Sequence, residues 1–97
     1  MSILILMLPL AHADDKQDVM DYLDQRSEGF SELAMSIWDY AELGYLEVQS
    51  SALLQKTLTE AGFAIESNIA GIPTAFIASY GQGKPVVGIL AEFDALP

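Results

Sequence analysis

Pro85-Val86-Val87-Gly88-Ile89-Leu90-Ala91-Glu92-Phe93-Asp94-Ala95-Leu96-Pro97 is an apolar run that ends in two carboxylates and a proline. No polar residue alternates within residues 86–91, the pattern of a strand buried on both faces. Such a strand needs a layer on each side, which implies a sheet continuing past Pro97 with helices above and below. Glu92 and Asp94 stand two apart and so point to the same side of an extended strand. A strand that delivers acids to its carboxyl end is how open α/β sheets place chemistry in the crevice beyond.

Upstream, residues 63–69 and 74–80 read as two further strands. The joining stretches, Ala70-Gly71-Ile72-Pro73 and Gly81-Gln82-Gly83-Lys84, are short. They can link only antiparallel neighbours, because a parallel crossover needs about a dozen residues or more. The expected fold class is therefore α/β, with two amino-terminal helices followed by a three-stranded antiparallel meander.

The first helix is read from Val19, Leu23, Arg26 (through its aliphatic stem), Phe30, Leu33, Ile37 and Ala41, which recur every three or four residues along one face. Asp14 or Asp15 can cap it, Asp18 and Asp21 suit the positive end of its dipole, and Gly29 weakens its interior. Trp38 and Tyr40 extend the stripe as expected core. A second helix spans residues 47–61, with Val48, Ala52 or Ser51, Leu54, Leu58 and Ala61 on one face, and Gly62 before apolar Phe63 closes it as a left-handed cap. Glu42 and Glu47, on the link between the helices, read as helix-end acids in solvent rather than metal ligands.

Composition bounds the function. Ninety-seven residues make one domain at most, and an apolar share of 52% indicates a folded core. A net charge of −10 excludes nucleic acid as an expected partner and disfavours anionic membrane surfaces. With no cysteine, thiolate ligands and disulfides are excluded within these residues. Residues 1–13 read as a signal peptide: an apolar stretch too short to span a membrane, then Ala11-His12-Ala13 as a small-x-small cleavage pattern. The mature domain would be residues 14–97, periplasmic or secreted if the leader is cleaved and otherwise cytoplasmic. His12, the one histidine, falls in that leader and is a poor ligand or base.

Gly81-Gln82-Gly83-Lys84 fails as a phosphate loop, since its glycines lead into Pro85 and a strand rather than a helix. No Ser/His/Asp set can be assembled. Glu92 and Asp94 remain, and carboxylates so placed can bind a divalent ion, orient a metal-bound histidine or work as acid and base. Read from spacing alone, that alternative stands level with a solvent-facing Glu92 and an Asp94 that caps the turn with Pro97.

Two motifs shift the balance. Ile37-Trp38-Asp39-Tyr40-Ala41-Glu42-Leu43-Gly44-Tyr45, continued by Glu47 and Gln49-Ser50-Ser51-Ala52-Leu53-Leu54, and then residues 88–97, resemble the start of the metal-dependent M20 peptidase and amidohydrolase family, in particular its aminobenzoyl-glutamate utilization branch. The wider amidohydrolase subfamily reads His-x-x-Pro-Glu-Leu-Gly and Asp-Met-Asp-Ala-Leu-Pro at these places. Here Trp38 replaces the histidine, Ala41 the proline, and Glu92 the first aspartate.

The resemblance implies an amino-terminal fragment of a hydrolase that uses zinc or manganese to activate water against an amide bond of aminobenzoyl-glutamate or N-acyl amino acid type. It implies that the meander begins the mixed sheet of the catalytic domain, that the full-length enzyme is a homo- or hetero-oligomer, and that its metal ligands lie downstream of Pro97. Asp94 aligns with the family's aspartate beside the metal centre, and Glu92 is its neighbour. The fragment alone would be inactive and would hold no metal. A different reading makes these residues a small non-enzymatic α/β module that self-associates through a sheet edge.

Overall fold

The computed structural model describes residues 14–93. The expected signal peptide and Asp94 lie outside the described residues. The chain divides into two compact units, Met1–Glu32 and Leu33–Pro97.

Helix α1, Asp14–Tyr40, fills the described part of the first unit and runs into the second. It matches the span its apolar spacing predicts, and Gly29 sits within it without a break. In the first unit its surface is exposed throughout, including Val19, Leu23 and Phe30. The Arg26 guanidinium lies 3.8 Å from the centre of the Tyr22 ring, four residues earlier on the same face.

The second unit is built from helix α2, Val48–Glu60, packed on a hairpin of strands β1, Ala64–Ser67, and β2, Phe76–Ser79. The strands are antiparallel, in register Ala64↔Ser79, Ile65↔Ala78, Glu66↔Ile77 and Ser67↔Phe76. Helix α2 closes as the sequence predicts. The Phe63 N–H donates to the Leu58 carbonyl at 3.0 Å and the Gly62 N–H to the Thr59 carbonyl at 2.9 Å, the paired bonds of a Schellman cap. Gly62 adopts φ +92°, which a side chain would oppose. The cap turns the chain straight into β1, and Phe63 packs its ring 5.1 Å from that of Tyr80 across the hairpin.

The structure differs from the sequence expectations in three places. Only the first hairpin of the expected meander forms. Residues 85–93 make no strand, and Val86, Val87, Ile89 and Leu90 are among the most exposed apolar side chains, Leu90 at 94%. A strand apolar on both faces gains nothing from a two-stranded sheet that offers no layer for either face. Trp38, expected in the core, is 62% exposed, and Tyr40 is only half-buried. Among the described residues no apolar side chain is fully buried; Leu54 and Leu58 of α2 are half-buried and Val48 is exposed. The buried residues are instead Ser50, Ser51 and Thr74.

Candidate functional site

The described residues hold part of the carboxylate pair predicted from the sequence. Glu92 is exposed and makes no hydrogen bond or ion pair among the described residues. Asp94 lies outside them. Phe93, between the two, stacks on Phe76 of β2 with ring centres 6.5 Å apart. That contact tethers Phe93 beside the hairpin, although residues 85–91 before it pair with no strand among the described residues.

The described residues do not form a metal-binding donor set, since no three His, Cys, Asp or Glu side chains among them converge on one point. Tight divalent sites use three or more protein ligands, more than the described residues bring together. Gly81 and Gly83 both take left-handed φ, +77° and +96°, and no helix follows them, so the Gly81–Lys84 stretch is a turn and not an anion cradle. An open groove of about 270 Å³ lies between α2 and the hairpin connection. Val48, Ser51, Ala52, Gln55, Pro73 and Thr74 line it, and none of these can serve as a general acid or base at neutral pH.

Glu42 and Glu47 are the acids the structure employs, in a role the sequence reading missed. A helix leaves its first N–H groups without intrahelical partners. At the start of α2, Glu42 reaches over the intervening turn and accepts from the Gln49 N–H at 2.8 Å with Oε1 and from the Ser50 N–H at 2.9 Å with Oε2. Glu47 occupies the N-cap position, yet its side chain does not cap the helix. Its Oε1 accepts from the Tyr45 N–H at 2.9 Å, and its Oε2 from the Thr74 hydroxyl at 3.0 Å.

Each carboxylate feels these partners. Partial dehydration pushes the Glu42 carboxyl up, but the Gln49 and Ser50 donors outweigh it and hold the group below its ordinary value. Its own backbone N–H leads in lowering Glu47. Dehydration opposes this, the Thr74 hydroxyl and Tyr45 N–H add to it, and the charge on Glu42 works against it.

Ser51, Thr74 and Gln55 complete the polar centre. The Ser51 hydroxyl donates to the Thr74 carbonyl at 2.7 Å and accepts from Gln55 Nε2 at 2.9 Å, while Gln55 Oε1 accepts from the Ser67 hydroxyl at 2.7 Å. Helical spacing places Ser51 or Ala52 on the inward face of α2, but no periodicity marks Thr74 or its bonds to Ser51 and Glu47, 23 and 27 residues away. Glu42 carried a signal: a carboxylate shortly before a helix start is a capping candidate.

Comparison with known proteins bears on what this unit belongs to. No family model matches the chain. The chain is 40% identical over 84 residues to a subunit of p-aminobenzoyl-glutamate hydrolase from Escherichia coli (strain K12), covering 82% of this chain and 18% of that protein. It is 31% identical over 86 residues to thermostable carboxypeptidase 1 of Saccharolobus solfataricus, covering 87% of this chain and 20% of that one. The chain thus spans about a fifth of the length of the curated relatives it matches. Both relatives carry the names of enzymes that hydrolyse amide or peptide bonds. Over most of its length the chain is thus similar to part of each of these two hydrolase-named proteins, one of them of the aminobenzoyl-glutamate kind that its motifs resemble.

Proposed function

We propose that these residues form the first layer of the catalytic α/β domain of a metal-dependent amidohydrolase acting on aminobenzoyl-glutamate or a similar N-acyl amino acid. The observation that carries this reading is the 40% identity over 84 residues to a protein named as a subunit of such a hydrolase. The 31% identity to a carboxypeptidase supports the broader class. In this reading α2 and the β1–β2 hairpin present residues 85–93 as the next strand, and Asp94 stands beside a zinc or manganese centre whose ligands come from sequence beyond Pro97. Glu92 is its active-site neighbour, and the chain by itself is inactive. The leader would send the enzyme to the periplasm or outside the cell.

The test is hydrolysis of p-aminobenzoyl-glutamate, followed by release of p-aminobenzoate, with added zinc or manganese. The chain alone is expected to give none. The chain joined to the sequence that follows it in its gene is expected to give metal-dependent turnover, which Asp94→Asn lowers by about ten- to a hundredfold, as for loss of a group that orients a metal ligand. Full turnover by the Asp94→Asn variant would overturn the assignment of Asp94. No amide hydrolysis by the extended protein on any N-acyl amino acid would overturn the function.

A further inference from the structure

The link between the helices, Glu42-Leu43-Gly44-Tyr45-Leu46-Glu47, is the one motif that the proposed chemistry leaves without a task. Its two carboxylates hold three segments of the chain. Glu42 holds the first turn of α2 through Gln49 and Ser50. Glu47 holds the preceding turn at Tyr45, where the backbone is left-handed at φ +65°, an unfavourable state for a tyrosine that a fixed N–H partner helps to maintain. Glu47 also holds Thr74, at the end of the hairpin connection.

These bonds close a ring. The Thr74 hydroxyl donates to the Glu47 carboxylate, the Ser51 hydroxyl donates to the Thr74 carbonyl, and the Ser51 N–H returns to the Glu47 carbonyl at 3.0 Å. A branch through Gln55 reaches Ser67, so α2 grips the connection between β1 and β2 at both its ends. Ser51 and Thr74 are 3% and 6% exposed, so a broken bond in the ring leaves a polar group without water to replace its partner.

We infer that Glu42 and Glu47 form a single acid-sensitive latch, which locks the start of α2 and the 68–75 connection together when both are ionised and releases them together when they take up protons. A protonated carboxyl loses acceptor strength toward the N–H and hydroxyl donors arrayed on it, and the Tyr45, Gln49 and Ser50 N–H groups cannot accept its added proton. Among the described residues no cation shares the task. The elements packed here are the 41–47 link, α2 and the connection. The link carries the two glutamates and the phenol of Tyr45, the connection carries no charged residue, and on α2 Lys56 and Glu60 pair with each other at 3.9 Å in its last turns. Glu66, on β1, is exposed. The first turn of α2 joins the two carboxylates: Glu42 holds the Gln49 and Ser50 N–H groups, and the next N–H, of Ser51, returns to the Glu47 carbonyl, so loosening that turn loosens both ends of the latch.

Amide exchange protection along the full chain, read by NMR from pH 7 to pH 3 in the wild type, Glu47→Gln and Thr74→Val, tests this inference. The amides of Gln49 and Ser50 report the helix start, and those of Ile69 and Ala75 report the connection, which closes through Ile69 N–H to the Ala75 carbonyl. In the wild type both pairs should lose protection in one transition on the acid side of the ordinary carboxylate range. Glu47→Gln should reduce protection at Ile69 and Ala75 by about three- to tenfold at neutral pH, the loss expected from one partly screened charged hydrogen bond. Thr74→Val, which keeps the side-chain shape, should do the same and raise the titration midpoint of the Glu47 carboxyl. Two separate transitions in the wild type, or unchanged connection amides in Thr74→Val, would overturn the latch, and both readouts stand even if Glu47→Gln fails to fold.

Discussion

Ser51 shows how a single hydroxyl decides local packing. It donates to one buried carbonyl and accepts from Gln55, and it sits on the helix face where an aliphatic residue would ordinarily fill a core. Ser51→Ala leaves the Thr74 carbonyl without its partner, a loss of about 1–3 kcal/mol. Thermal unfolding should show a midpoint lowered by several degrees, and an unchanged midpoint would mean that water replaces the hydroxyl freely. The glutamates at this scale set the pH dependence. Both carboxyls titrate below their ordinary value of 4.5 in the folded chain, so the stability they contribute is present above that pH and is lost as pH falls through the lower folded values. Denaturant titrations at pH 7 and near pH 3 should show a lower midpoint in acid, and Glu42→Gln should shrink that difference. Little of this was legible beforehand. Glu42 and Glu47 were visible as helix-end acids, but their partners come from residues 49, 50 and 74, and no local pattern connects a carboxylate to a hydroxyl 27 residues away.

Among the elements, α1, α2 and the hairpin follow local rules closely enough to be read from spacing. The three-to-four periodicity locates both helices, and Gly62 before Phe63 locates the end of α2 to the residue. Gly62→Ala places a Cβ in the left-handed region at φ +92°, with the Tyr80 ring 3.5 Å away. The space is adequate and the backbone is the obstacle, so the variant should cost about 1–2 kcal/mol through conformation alone. Circular dichroism during thermal melting checks this, and a melt equal to wild type would mean that the turn relaxes to another form. Residues 85–93 are where elements could not be read one at a time. Their apolar run describes a strand with neighbours on both sides, and strand formation depends on the partner as much as on the segment. The run carries the right residues but is left exposed.

For the whole molecule, α2, two short strands and their polar centre make a small unit with no fully buried apolar side chain among the described residues. The exposed run of Val86, Val87, Ile89 and Leu90 stands out on a chain with a net charge of −10. Apolar surface of this kind is covered in stable proteins. The isolated 10.5 kDa chain should therefore elute from gel filtration ahead of a monomer, and the double variant Val87→Lys, Ile89→Lys should return it to monomer size. A monomeric wild type would show that residues 85–93 find cover within the chain. Discrete dimers would favour the small-module reading, and heterogeneous aggregate the enzyme reading. No helix among the described residues is long and apolar enough to cross a membrane.

Local pattern was enough for the helices, the closing cap of α2, the antiparallel turn between β1 and β2, and the similarity to amide hydrolases. Each of these rests on neighbours within a few residues, or on the order of residues along the chain. The fold, not the local pattern, makes the buried centre polar, joins a helix to a distant connection through two glutamates, and leaves the run before Glu92 with no partner strand among the described residues. Those features depend on which groups meet after the chain turns back on itself, and hydrogen bonding between residues far apart leaves no periodic trace along the sequence.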